Sequence, residues 1–315
     1  MKPLSLIFFL LLSALLVWLS AGIGFGGWQA PHTLEPVMLE IRLPRVAAAL
    51  LVGAALSAAG AGLQALFENP LADPGLIGTS AGAALGVVGV LALGWTGVSV
   101  PLAAFAGALA VCLLILAAHR FTGGGISGLL ILGLIVSAFC SATVSLILFL
   151  SDDLTLRSAS IWLAGSLAEA GFVPPGRVAL VMLAGLALLL SCGRGLDCLM
   201  LGEDTAHSSG IAVGRLRVQT VIAAALLTGA AVSLSGIIGF IGMMVPNILA
   251  SAVGGCRRRL IVFSAWLGGI MLLVLDSAAR WIAFPVDLPV GIVIALLGGP
   301  FFMWLFLHSI HRKAG

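Results

Sequence analysis

The chain has 315 residues, of which 61% are hydrophobic and only 9% are charged, and its mean hydropathy is +1.23. Soluble domains carry about 25% charged residues, so this chain cannot cover its surface with solvated side chains, and lipid is the solvent that remains. The net charge of +3 is small and carries no information about nucleic acid, but lysine occurs only at positions 2 and 313, and the sequence has no basic patch interleaved with aromatic residues of the kind that nucleic-acid binding needs. The composition predicts an all-α protein that crosses a membrane many times.

The N-terminal segment has two interpretations. Lys2 is followed by an apolar run over residues 4–19, which resembles the start of a cleaved signal peptide. The run is, however, longer than a usual signal core and close to the roughly 20 residues that a spanning helix needs. We therefore expect a first span that is retained.

Gaps between charged residues locate the other spans. Asp, Glu, Lys and Arg are missing from residues 3–34, 46–67, 74–119, 121–151, 178–193, 218–256, 260–275 and 288–311. The two longest gaps each have room for two helices, which would turn near residues 94–97 and near Ser235–Gly236, where glycine favours a turn. About ten spans follow, and an even number puts both termini on the same side.

The distribution of arginine and lysine indicates which side this is, because cytoplasmic segments of membrane proteins are enriched in both. With the N-terminus inside, ten basic residues fall in the cytoplasm and five outside. The cytoplasmic set is Lys2, Arg120, Arg194, Arg215, Arg217, Arg257, Arg258, Arg259, Arg312 and Lys313, and the external set is Arg42, Arg45, Arg157, Arg177 and Arg280. Both termini are therefore predicted to be cytoplasmic.

The sequence FENPLADP at residues 67–74 interrupts the apolar pattern. Proline disfavours helical geometry in the residue before it, so Asn69–Pro70 and Asp73–Pro74 would end one helix and begin the next. The segment is predicted to be a tight cytoplasmic turn between the second and third spans.

Two glycine-rich octamers are similar to each other. GAALSAAG (53–60) and GAAVSLSG (229–236) agree at five of eight positions, and the predicted topology places them in spans of opposite direction. This is what an inverted repeat would give, with halves at about 46–150 and 217–308, although such octamers also match by chance. Their small residues indicate closely packed helices.

The chain lacks the groups that an enzyme or a nucleotide-driven motor needs. Without an internal lysine it has no G-x-x-x-x-G-K-[ST] phosphate loop, and neither its five histidines nor its five cysteines have the spacing of a metal site. No catalytic residue, metal or cofactor is expected. Asp276 and Arg280, at i and i+4, are either a mutually neutralising pair or a functional intramembrane site.

The longest polar segment predicted on the cytoplasmic side is LGEDTAHSSGIAVGRLR, residues 201–217. Gly202 and Gly210 bracket an interval that could form a short helix along the membrane surface, with Glu203 and Asp204 favourable in its first turn. The alternative is an ordinary loop between helices.

Four stretches, in order along nearly the whole chain, resemble the FecCD-type permeases of ATP-binding-cassette (ABC) importers for iron chelates, haem and cobalamin. They are IRLPRVAAALLVGAALSAAGAGLQALFENPLADPGLIGTSAGAALG, LGEDTAHSSGI, SLSGIIGFIGMMVPN and DLPVGIVIALLGGPFFMWL. Each stretch alone is a weak signal, and the four together are highly specific.

The resemblance implies a single permease domain over residues 1–315. Two copies would line a pathway in the bacterial inner membrane, with two cytosolic ATPase subunits below and a soluble substrate-binding protein outside. It assigns docking of the binding protein to Arg42, Arg45 and Arg280, and coupling to the ATPase to a segment at about 199–213. The coupling residues are Gly202, Glu203, Asp204, Ala206 and Gly210, the cytoplasmic gate is Ile126 and Ser127 in GGGIS, and the structural link is Asn69, Pro70, Asp73 and Pro74.

One departure from the family pattern concerns the segment after Val245–Pro246. The family usually carries a histidine and then an arginine where this chain has Asn247 and Ala250, which weakens any transfer of substrate identity. The expected cargo is a ferric siderophore, with cobalamin or haem as the alternative. An ion-coupled secondary transporter and an integral membrane enzyme are the remote alternatives.

Overall fold

The computed structural model describes residues 3–24, 27–31, 36–122, 125–170 and 175–314. Twelve α-helices cover most of these ranges. They are α1 (Pro3–Gly22), α2 (Leu43–Leu66), α3 (Thr79–Ala92), α4 (Val100–Thr122), α5 (Gly125–Leu150), α6 (Asp153–Leu163), α7 (Pro175–Leu199), α8 (Glu203–Ser208), α9 (Val213–Ser235), α10 (Ile241–Val253), α11 (Arg257–Ile282) and α12 (Val290–Ala314).

Three short elements complete the described structure. A π-helical turn, Met38–Arg42, leads directly into α2, and a 3₁₀ turn, Pro74–Ile77, precedes α3. After α1 the chain forms a small antiparallel hairpin of β1 (Ile23–Gly24) and β2 (Gly27–Trp28). The sequence did not predict this hairpin, and two-residue strands are too short to leave an alternating pattern.

Six helices of the described chain are long and apolar enough to cross a membrane: the continuous helix Met38–Leu66, together with α4, α5, α7, α9 and α11. Four shorter apolar helical segments lie in α1, α3, α10 and α12. A mainly α-helical chain with helices long and apolar enough to span a membrane is therefore confirmed. The number of about ten spans stays a prediction, because these four segments are too short to count by length alone.

Helices α2 and α9 form the centre of the bundle. In each, 78% of the most apolar window is buried within the single chain, whereas only 17% of the α5 window is buried. Alanine and glycine make up half of α2, and the second half of α9 is rich in alanine, glycine, serine and threonine; such small side chains allow neighbouring helices to surround them closely. The two octamers that resemble each other thus lie at the core.

Helices α2 and α11 lie antiparallel with their backbones almost in contact. A Cβ atom on Gly53 would overlap the carbonyl group of Gly268, and one on Gly269 would come within 2.8 Å of the Leu50 carbonyl oxygen. Near its other end, α2 approaches α10 in the same way, because a Cβ on Gly60 would meet the Gly242 carbonyl. Glycine at these positions is therefore required by packing.

The pairs of contacts also give the direction of the central helices. Leu189 of α7 meets Gly62, near the end of α2, and Gly193 meets Arg258, at the start of α11, so α7 runs parallel to α2. Helix α9 runs opposite to α7, since Gly195 lies against Leu216 and Gly185 against Leu227. The two octamers consequently run in opposite directions, as an inverted repeat requires, while the repeat halves themselves stay a prediction.

The predicted turns agree with the helix boundaries. Helices α3 and α4 are separated by residues 93–99, α9 ends at Ser235, and a short helix, α8, lies between Gly202 and Gly210. Helix α6 was not predicted. Its sequence is amphipathic and polar, with Asp153 and Arg157, so the search for charge-free gaps passed over it.

We expect Gly53→Ala to lower the unfolding temperature of the purified protein by several degrees, because the added methyl group has no room beside the Gly268 backbone. Gly89→Ala is the matched control. No atom lies within 4 Å of a Cβ at that position, and alanine is favoured over glycine in a helix by about 1 kcal/mol. Thermal unfolding in detergent measures both, and equal behaviour of the two variants would contradict the close packing.

Candidate functional site

The polar groups of the described chain concentrate at the two ends of the bundle. At one end, Arg45, Asp276, Arg280 and Asp287 form what we call the arginine–aspartate cluster. Arg45 is in the first turn of α2, and Asp276 and Arg280 are near the end of α11. The antiparallel packing of these helices brings the three residues together. Asp287 lies in the segment after α11.

Arg45 binds both aspartates. Its Nε donates to Asp276 Oδ2 at 3.0 Å and its Nη2 to Asp276 Oδ1 at 2.9 Å, while Nη1 and Nη2 donate to the Asp287 oxygens at 2.8 and 2.9 Å. The Asp276 side chain is 1% exposed and that of Asp287 is 36% exposed. Asp276 is thus the buried centre of the cluster, and Asp287 is at its rim.

Arg280 contacts the cluster from the other side. Its Nε is 3.1 Å from Asp276 Oδ2, one turn earlier on α11. Its Nη1 donates to the Ile23 carbonyl oxygen at 2.8 Å, and its Nη2 is 3.4 Å from Ser20 Oγ and 3.3 Å from Ser277 Oγ. Two arginines and two aspartates balance in charge, so the cluster joins α1, α2, α11 and the segment after α11 without a net charge.

Arg42 lies beside the cluster but outside it. Its Nη2 donates to Gln29 Oε1 at 3.3 Å, and none of the acids in the described ranges pairs with it. Arg42, Arg45 and Arg280 line one cleft of about 190 Å³ together with Asp287 and with apolar residues of β1, of the turn before α2 and of the segment after α11. Sequence reasoning placed the three arginines at one end, and the structure brings them into a single cleft.

The three predicted docking arginines are nevertheless not equivalent. The Arg45 side chain is 10% exposed and bound to two carboxylates, and Arg280 is 14% exposed. Neither can turn outward to meet a partner without opening the cluster, because a buried charge that loses its partner is costly. Of the three, only Arg42 has a cation that is free of the described carboxylates.

The predicted link, residues 67–74, lies at the opposite end of α2. Two side chains of the link bind its own backbone: Asn69 Oδ1 accepts from the Leu71 N–H at 2.9 Å within the turn, and Asp73 Oδ1 accepts from the Gly75 N–H at 2.7 Å as the cap of the 3₁₀ turn. The Thr79 hydroxyl donates to the Pro74 carbonyl at 3.1 Å. These bonds satisfy backbone groups at the helix ends, so the segment is a fixed turn.

Asp73 is a half-buried acid of this link. Burial raises the pKa of its carboxyl group, and the hydrogen bond from the Gly75 N–H acts in the opposite direction. An aspartate kept in such a place serves as the cap of the 3₁₀ turn that starts at Pro74, where its oxygen replaces a missing backbone acceptor.

Asn247 ties the link to α10. Its Nδ2 donates to the Pro70 carbonyl at 2.7 Å and to the Met243 carbonyl at 2.8 Å. Gln64, near the end of α2, donates to the same Met243 carbonyl at 3.1 Å. The residue that departs from the family pattern therefore has a defined structural partner in this chain.

Helix α8 is held against the start of α9. Ala206 is fully buried, and the Ile211 N–H donates to the Ala206 carbonyl at 3.0 Å. Glu203 Oε2 accepts from Arg217 Nη2 at 2.6 Å. Both bracketing glycines have positive φ, 108° for Gly202 and 79° for Gly210, which favours glycine. Asp204 is exposed.

The predicted gate residues occupy the first turn of α5. Ile126 is half-buried against the main core and Ser127 is exposed. Further along α5, Gly133 meets the Leu76 carbonyl, so this helix packs against the 3₁₀ turn of the link. Gly123 and Gly124 of the same predicted turn lie outside the described residues.

Sequence reasoning missed two residues of these sites. Asp287 is 242 positions from Arg45, and nothing local marks it, although it begins the quoted stretch DLPVG. Asn247 was noted only as a departure. Among the described residues there is no group of three or more His, Cys, Asp or Glu that could hold a metal, and all five cysteines are free.

Comparison with protein-family models matches residues 3–308 to the FecCD transport family. The chain belongs to this family. It is 38% identical over 288 residues to the hemin transport system permease protein HmuU of Yersinia pestis, with 89% of this chain and 85% of that protein covered. It is also 38% identical over 314 residues to the vitamin B12 import system permease protein BtuC of Escherichia coli O157:H7, with 95% and 93% covered.

A solved structure supports the same assignment. The chain superposes with a TM-score of 0.85 and 29% identity on a transporter assigned to the metal-chelate ABC type in an inward-facing conformation, covering 98% of this chain and all of the other. This FecCD chain is thus the membrane-spanning permease subunit of a metal-chelate ABC importer, a class whose permeases are not catalytic. The expectation of a ferric siderophore is not confirmed, since the relatives named here are permeases for hemin and vitamin B12.

Removing the central carboxylate should destabilise the protein strongly. Asp276→Ala leaves two buried arginines to share Asp287, and breaking a buried ion pair costs about 3–5 kcal/mol. We expect a clear fall in unfolding temperature in detergent, whereas Arg42→Gln, which removes a neighbouring cation outside the cluster, should change it little. If Asp276→Ala unfolds at the wild-type temperature, the cluster does not hold this end of the bundle together.

Proposed function

We propose that two copies of this chain form the translocation pathway of an importer for a metal-bearing tetrapyrrole of the haem or cobalamin class. The observation that carries the proposal is the end-to-end similarity to permeases named for hemin and for vitamin B12. Both cargoes are large macrocycles that hold a metal. A ferric siderophore is the other metal chelate to be tested.

The energy for import comes, in this proposal, from ATPase partners on the cytoplasmic side. The sequence has no phosphate-binding loop, so nucleotide must act through an interface. Helix α8 is suited to that role, because Ala206 and the Glu203–Arg217 ion pair fix it to the bundle while Asp204 and His207 are exposed. A force on α8 would pass directly into α9, the central helix.

The link and the gate lie at the α8 end of the bundle, which we assign to the cytoplasm. The contacts of Asn247 with Pro70 and of Gly133 with Leu76 connect α10, the link and α5. We infer that these elements move together when the pathway opens between the first turns of the two α5 helices, where Ile126 and Ser127 lie. The N-terminus belongs to the same side, since α1 runs parallel to α11, with Phe9 against Trp266 and Ser20 against Ser277.

The transport assay uses proteoliposomes that contain the permease alone or the permease with its co-purified ATPase and its binding protein. Hemin, cyanocobalamin and a ferric siderophore are offered in parallel. We expect ATP-dependent accumulation of one tetrapyrrole in the complete system and none with the permease alone. Accumulation by the permease alone would refute the importer proposal, and accumulation of the siderophore only would refute the tetrapyrrole cargo.

A variant of α8 tests the route of the energy in the same assay. Asp204→Arg reverses an exposed charge that has no partner among the described residues, so the fold should persist. We expect ATP hydrolysis to become independent of the binding protein and uptake to fall at least tenfold. Arg157→Gln, at an exposed position of α6, is the control and should leave uptake unchanged. Normal uptake by Asp204→Arg would remove α8 from the proposed coupling.

The docking proposal now rests mainly on Arg42. Charge reversal by Arg42→Glu should weaken binding of the acidic docking surface of the binding protein at least tenfold while the unfolding temperature stays unchanged, because Arg42 is outside the arginine–aspartate cluster. Arg157→Glu controls for the loss of an external positive charge. Titration of the reconstituted permease with labelled binding protein measures both, and an unchanged Kd for Arg42→Glu would exclude it from docking.

A further inference from the structure

A groove unrelated to the proposed pathway runs between α1, α10 and α11. Its volume is about 690 Å³, within the range of about 300–1,000 Å³ that is common for ligand pockets. Apart from Ser13 and Arg259, its walls are apolar. They are formed by Phe9, Leu12 and Leu16 of α1, by Ile248, Leu249, Ala252 and Val253 of α10, and by Phe263, Trp266, Leu267 and Ile270 of α11.

The groove has the length of one lipid leaflet. Along α11 it extends from Arg259 to Ile270, eleven residues that rise about 16 Å in an α-helix. The hydrocarbon layer of a bilayer is about 30 Å thick, so half of it is about 15 Å. An acyl chain inserted from the α11 N-terminus would therefore fit along the whole groove.

Arg259 places a positive charge at one end of the groove. Arg257, Arg258 and Arg259 lie in the first turn of α11. The backbone N–H of Arg257 donates to Asp197 Oδ1 at 2.7 Å, and Arg258 is exposed, with its Cβ against Gly193 of α7 and outside the groove. Arg259 is exposed and lines the groove. No acid of the described ranges pairs with it. Its charge is available for an anion at the mouth of the groove.

We propose that this groove binds an anionic phospholipid, with the phosphate on Arg259 and one acyl chain along Phe263 and Trp266. The aromatic rings add to the fit, since Trp266 lies edge-on to Phe9 at 5.8 Å between ring centroids. Basic pockets between spans on the cytoplasmic side recognise anionic headgroups. The proposal requires only that the chain is embedded in lipid, and not a particular cargo.

The probe is the quenching of Trp266 by brominated acyl chains. The protein is placed in nanodiscs of phosphatidylcholine that contain increasing fractions of brominated phosphatidylglycerol or brominated phosphatidylcholine. The Trp266→Phe variant identifies the part of the fluorescence that Trp266 supplies. We expect the Trp266 fluorescence to be half-quenched at a fraction of brominated phosphatidylglycerol that is about fivefold lower than the fraction of brominated phosphatidylcholine needed. A fivefold ratio corresponds to the attraction of one arginine to an anionic headgroup. Equal fractions for the two lipids would overturn the proposal.

Two variants separate the headgroup site from the acyl groove. Arg259→Gln should make the two lipids equivalent, and Arg258→Gln, which changes the neighbouring arginine outside the groove, should keep the preference. Ala252→Phe fills the groove and should reduce quenching by both lipids. A preference that survives Arg259→Gln would exclude Arg259 as the headgroup site.

Native mass spectrometry of the unmodified protein provides a measurement that needs no variant. After purification from nanodiscs with equal amounts of the two lipids, bound phosphatidylglycerol should exceed phosphatidylcholine about fivefold. Retention of neither lipid, or retention of both in equal amounts, would overturn the proposal.

Discussion

Close backbone contact between helices is the constraint on which this structure depends. Lipid tails are as apolar as leucine, so no hydrophobic force brings helices together inside a bilayer, and dispersion contacts must do so. At Gly53, Gly60 and Gly268 the backbones approach until no Cβ atom could fit. The register of α2 against α10 and α11 follows from these positions, and with it the location of every polar group at the two ends.

The register also explains why the ends can act together. The arginine–aspartate cluster fixes the start of α2 to the end of α11, and the Gln64–Met243 bond fixes the end of α2 to α10, which carries Asn247 and its tie to the link. Because both ends of α2 are bonded to neighbouring helices, a displacement of one end moves the whole helix. Helix α5 keeps an apolar face exposed in the single chain, with Phe139 72% exposed.

The sequence was sufficient for the class of protein and for most helix boundaries, because charge-free gaps and glycine-rich turns are local signals. The short helix between Gly202 and Gly210 could be recognised for the same reason. Partners across long distances could not. Arg45 and Asp287 are 242 residues apart, so the sequence placed Arg45 among the external docking residues without revealing that it is buried against two aspartates. The cargo was also beyond reach, since a single chain of aliphatic helices contains no group that marks one metal chelate.

The amide of Asn247 has a consequence for the conditions in which the protein works. The family usually has an imidazole here, and histidine changes its charge between about pH 5 and 8. An amide donates the same kind of bond to the Pro70 and Met243 carbonyls but carries no ionisable proton in that range. The hydrogen bonds from Asn247 to the link and to α10 therefore do not depend on a protonation change in that pH range.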